Sequence, residues 1–128
     1  MARRLAAVAF SVPDYDEAIA WFRDALGFEL LEDTPLGSRK RWVVVAASRD
    51  SGARLLLQLH DGEPRKSPRV GYFLETDDFV RDHADFLGRG VRFLEAPRRE
   101  AYGIVAVFAD PWGGKWDLIE PARARADS

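Results

Sequence analysis

Few side chains in this sequence could do chemistry. Cysteine is absent, which excludes disulfides, thiolate zinc sites and cysteine nucleophiles. Histidine occurs only twice, as His60 and His83. His83 falls mid-helix beside Phe79, Phe86 and Leu87, a pattern that assigns it to a helix–sheet boundary. His60 ends an apolar run and leads into a polar stretch, so solvent or a hydrogen bond is its expected surrounding. Asp117 is the best catalytic candidate. It alternates with Trp116 and Leu118, and a carboxylate in a half-apolar hollow has its charged form disfavoured, which suits a general base. The competing reading gives it an arginine partner or a hydrogen bond to the next strand. Glu75 shares that side but lies beside Asp77-Asp78, at a rim.

The elements that must carry these residues occur twice. Val8 to Val12 reads as a strand, and a helix follows from about Asp14 to Leu26, with Asp14 as N-cap, Glu17 three residues on and Gly27 as its stop. Three strands come next: Phe28–Leu31, Arg41–Ala47 and Arg54–His60, broken at Thr34–Ser38 and Asp50–Gly52. The second half repeats the order. Val70–Thr76 is a strand, a helix runs from Asp77-Asp78 to about Leu87, and Gly90 stops it. Val91–Leu94, Ile104–Ala109 and Lys115–Glu120 complete the repeat, with breaks at Pro97-Arg98-Arg99 and Asp110–Gly114. The fold class is therefore α+β, two βαβββ modules forming curled sheets around a cavity with the helices outside. We expect one domain over residues 1–121, with modules at about 5–60 and 69–121, a linker at 61–68 and a polar tail at 122–128.

Strand parity assigns faces. Val8, Phe10, Val12, Val70, Tyr72, Leu74, Trp116 and Leu118 suit the helix side, while Leu55, Leu57 and Leu59 alternate with Leu56, Gln58 and His60. The concave side then receives Ala7, Ala9, Ser11, Gln58, His60, Gly71, Phe73, Asp117 and Ile119, with Trp42 able to reach it from the third strand. Small walls and a few polar groups leave room for an organic ligand. Trp21 and Trp112 are assigned to core, rim or dimer contacts, and Tyr102-Gly103 to a hairpin turn or a cover over the cavity mouth. Gly113-Gly114 is a turn, since no glycine-rich loop opens a helix.

Composition narrows the partners. The 128 residues are 47% hydrophobic, and 19 Lys and Arg against 21 Asp and Glu give a net charge of −2. That balance offers no general attraction to nucleic acid or an anionic membrane. Arg39-Lys40-Arg41, Arg65-Lys66 and Arg98-Arg99 are read as solvated surface. No apolar run approaches the roughly 18 residues of a membrane span. Leu5–Val12 reads as a strand rather than a signal peptide, and a cytoplasmic location is expected.

In this order and spacing the motifs resemble the vicinal oxygen chelate superfamily, which unites glyoxalases, bleomycin-resistance proteins and ring-cleaving dioxygenases. The likeness runs from about Leu5 to Pro121. It rests on Val12-Pro13-Asp14 leading into Ala18-Ile19-Ala20-Trp21-Phe22, on Leu26-Gly27-Phe28, and on Phe108–Gly114 with Trp116–Glu120. The resemblance implies a cavity that in the family's enzymes holds a divalent ion, a Lewis acid chelating two neighbouring substrate oxygens. Its four ligand positions fall on Ala7, Gln58, Gly71 and Asp117. Ala7 and Gly71 have no donor atom, and about three protein ligands are the usual minimum. The expectation is a small-molecule binding protein without a metal cofactor, homodimeric as family members commonly are. The alternatives are a lyase or dioxygenase with a reduced metal site of Gln58, His60 and Asp117, an enzyme using Asp117 as a metal-free base, and a partner-binding module with a vestigial cavity.

Overall fold

The computed structural model describes residues 3–60 and 68–122. Most of the expected linker and of the expected tail therefore lies outside the described residues. The chain divides into two compact units, residues 1–64 and 65–128.

In the first unit β1 (Val8–Val12) runs into α1 (Tyr15–Leu26), followed by β2 (Glu29–Pro35), β3 (Arg41–Ala46) and β4 (Leu55–Leu59). The helix begins where the sequence predicts, because the Asp14 carboxylate accepts the Glu17 N–H at 2.7 Å. It ends at Gly27, whose φ of 71° is left-handed. Ala18, Ile19, Phe22, Ala25 and Leu26 form its buried stripe. The sheet order is β1-β4-β3-β2, with β1 parallel to β4 and the remaining pairs antiparallel. Phe10, Leu57, Val43 and Val45 are buried on the helix side, with Phe10 edge-on to Phe22 at 5.3 Å. Val8 shares their parity but is exposed, lying at the outer end of β1.

The second unit repeats the scheme: β5 (Tyr72–Glu75), α2 (Phe79–Gly88), β6 (Arg92–Phe93), β7 (Arg98–Glu100), β8 (Gly103–Ala109) and β9 (Lys115–Pro121). Its order is β5-β9-β8-β6, with β7 also pairing β8, and β5 is parallel to β9 as β1 is to β4. Phe86, Phe108, Trp116 and Leu118 are its core. Neither sheet closes into a barrel.

Two local expectations fail. Thr34-Pro35 does not break β2, since these residues pair with Trp42 and Arg41, and an edge strand tolerates proline's missing N–H. Pro97-Arg98-Arg99 is not a plain loop either: Arg98 and Arg99 pair with Val105 and Ile104 as β7. Trp112 is buried, at 8% exposure, which selects the core among its expected places, because the turn is folded inward around Asp110.

Candidate functional site

Register places the first unit's polar residues. Ala9 pairs with Leu56 and Ser11 with Gln58, so these side chains share the face opposite α1. Thr34 faces Trp42 across β2–β3, and Trp42 stands on the same face as Val44, which pairs with Leu56. The ladder extends past β4, with the His60 N–H donating to the Val12 carbonyl at 3.2 Å.

At this end of the sheet, where β1 and β4 finish and the β2–β3 hairpin turns back, lies a cavity of about 590 Å³. Its walls are Pro13, Tyr15, the hairpin residues Leu36, Arg39 and Lys40, then Arg41, Trp42 and the segment Leu56–His60. That volume lies within the range of small-molecule sites. Trp42, Gln58 and His60 thus meet here. Ala7 and Ala9 do not line it, since they precede it along β1.

Two anchors hold the wall in place. Tyr15 Oη accepts the Arg41 N–H at 3.2 Å, tying α1 to β3. The Arg41 guanidinium grips Asp33 through Nε (3.1 Å) and Nη2 (2.7 Å) and reaches Asp16 through Nη1 (2.9 Å). This fork holds the Asp33 carboxyl below the usual range and the guanidinium firmly charged. Both ring nitrogens of His60 are buried and have no hydrogen-bond partner among the described residues. An orphaned buried imidazole is costly.

The second unit carries Gly71, Phe73, Asp117 and Ile119 on its corresponding face, Phe73 opposite Asp117 in register and Phe73 exposed. Glu75 pairs with Ile119 and is exposed, as a rim position would be. Among the described residues Asp117 forms no ion pair, and its Oδ1 is buried without a hydrogen bond, so Arg98 acts on it only through charge. Arg98 is occupied instead by Glu95, at 3.0 Å from Nε, and by Glu100, at 2.7 Å from Nη1. Burial pushes the Asp117 carboxyl above the usual carboxylate range; Arg98 opposes this and Glu95 adds to it. His83 occupies the helix–sheet boundary, stacked on Phe79 at 5.3 Å and against Phe93 at 4.4 Å.

The metal chemistry of the resemblance fits these residues poorly. Ala7 and Gly71 have no donor atom, and among the described residues no group of three or more His, Cys, Asp or Glu could hold an ion. The sequence reading also missed residues. Arg39 and Lys40 are exposed, as expected of solvated surface, but with Arg41 they also line the cavity, and their signal is adjacency to Trp42 after the Gly37 turn. Glu95 and Arg98 act on Asp117 because Arg98 and Arg99, expected within a break, form β7 instead.

A sequence model of the Glyoxalase/Bleomycin resistance protein/Dioxygenase superfamily matches residues 4–118, and the chain belongs to that superfamily. An uncharacterised protein of Shewanella frigidimarina is 40% identical over 128 residues, covering 94% of this chain and 95% of that protein. TnmS3, an antibiotic binding protein from Streptomyces sp. CB03234, is similar at 32% identity and a TM-score of 0.72, over 95% of this chain and 99% of that one. A superfamily member from Sphaerobacter thermophilus is similar at 27% identity and a TM-score of 0.76, over 92% and 97%. No helix is long and apolar enough to cross a membrane among the described residues.

Proposed function

We propose that this chain is a small-molecule binding protein whose first-unit cavity receives an organic ligand without a metal. The observation that carries this reading is the cavity itself. An exposed indole, an exposed amide and an imidazole with no partner among the described residues line about 590 Å³ of space. Such a site recognises by shape and a few polar contacts. The likeness to an antibiotic binding protein supports the same class of ligand. Sequestration needs no Lewis acid, in keeping with donorless Ala7 and Gly71.

A second reading is favoured by one observation. The orphaned, desolvated Asp117 carboxylate would suit a metal-free general base. Homodimerisation in the cytoplasm belongs to the proposal as well, and sizing by light scattering tests the dimer.

The deciding experiment is a thermal-shift screen of chelator-treated protein against aromatic antibiotics and, separately, divalent metals. Binding at about 100 times Kd raises stability by about 2.7 kcal/mol, a readily measured shift. Stabilisation by organic compounds alone supports the proposal. Stabilisation that requires zinc, nickel, iron or manganese replaces it with a metal-dependent enzyme of the same superfamily.

A further inference from the structure

The walls of the first-unit cavity carry charge of one sign only. Its charged residues are Arg39, Lys40 and Arg41, and no carboxylate lines it among the described residues. Arg41 is spent on Asp33 and Asp16. The side chains of Arg39 and Lys40 have no ion pair or hydrogen bond among the described residues, so two cations at the cavity are uncompensated. The Lys40 carbonyl meanwhile accepts the Leu36 N–H at 2.8 Å, which fixes the hairpin that carries both.

Beside them stands Trp42, 41% exposed on a strand whose next four residues are buried. Its indole N–H donates to Glu32 Oε2 at 3.4 Å, a carboxylate on the same sheet face as the ring that does not itself line the cavity. A large apolar surface left bare inside a concave site offers a stacking platform. Gln58 and His60 also line the cavity, from β4 and just past its end.

We infer that the cavity selects a planar aromatic anion, its ring against Trp42 and its negative group at Arg39 and Lys40. This rests on the small-molecule reading above and narrows it to a ligand charge and shape. The cations steer and orient the anion, while the ring supplies contact area. Because both cations are exposed, their contribution is modest and sensitive to salt.

Three isosteric probes test the inference: naphthalene-2-carboxylate, naphthalene-2-carboxamide and naphthalen-2-ylmethylammonium, titrated into the full chain by calorimetry. The carboxylate is expected to bind roughly tenfold more tightly than the carboxamide at low ionic strength, with the ammonium weakest. That ratio should shrink toward one in R39Q/K40Q and in about 0.5 M salt. W42L should weaken the carboxylate and the carboxamide alike, with W42F recovering most of the loss. A carboxamide that matches the carboxylate overturns the charge preference while leaving a binding protein standing. Failure of all three probes to bind overturns the inference outright, and the antibiotic screen then decides the wider reading separately.

Discussion

The carboxylate of Asp110 accepts the indole N–H of Trp116 at 3.0 Å at the closed end of the second sheet. Its other oxygen takes the Trp112 N–H at 2.9 Å and the Gly114 N–H at 2.8 Å. One buried acid thus organises the whole β8–β9 turn and draws Trp112 inward. Asp110→Ala leaves three donors without this acceptor, and chemical denaturation should show a loss of about 2–4 kcal/mol.

Gly103 opens β8 with φ near 148°, and a Cβ there would collide with the backbone carbonyl of Glu120 on β9. No side-chain rotation relieves a clash with backbone. Gly103→Ala should therefore cost about 2 kcal/mol or more, read from the urea midpoint.

Asp33 and Asp117 should give opposite pH signatures. The Arg41 fork lowers the folded-state pKa of Asp33, so its stabilisation is present above the unfolded carboxylate value and is lost as pH falls through the folded one. Asp33→Asn should be less stable than the parent at neutral pH, with the gap closing in acid. For Asp117, desolvation raises the folded pKa, with Arg98 opposing and Glu95 assisting. Ionisation then destabilises the fold, by an amount that is absent below the unfolded value and complete above the folded one. Asp117→Asn should be more stable than the parent at neutral pH, and the two should converge in acid. Urea unfolding from about pH 3 to pH 8 reads both differences.

Much of the fold was legible because local signals agreed. Asp14, Gly27 and the Ala18–Ile19–Phe22 stripe fix α1 without help from distant contacts. Alternation in Leu55–Leu59 correctly separated Leu57, at 1% exposure, from Gln58. What escaped depended on pairing across the sheet. Pro35 and Arg98 look like strand breakers until Arg41 and Val105 stand opposite them. The cationic wall escaped for a related reason. Arg39 and Lys40 resemble any polar turn, and only the pairing of the hairpin with β4 brings them to the same cavity as His60. The Asp110 hub was read as a turn because three N–H groups converging on one carboxylate leave no trace in spacing.

The Arg41 fork should matter to the cavity as well as to the fold, since it holds the wall between Tyr15 and Trp42. Arg41→Lys cannot reproduce two parallel bonds to Asp33 together with the reach to Asp16. Ligand affinity should fall by about threefold to tenfold with only a small change in the denaturation midpoint, as calorimetry and urea unfolding together would show.

The most direct test is calorimetric titration of chelator-stripped protein with an organic ligand found in the screen, repeated after adding back divalent metal. The account predicts one site per chain, full affinity in the stripped protein, no change with metal and a marked loss in Trp42→Leu. Affinity or turnover that appears only when metal is restored would contradict it.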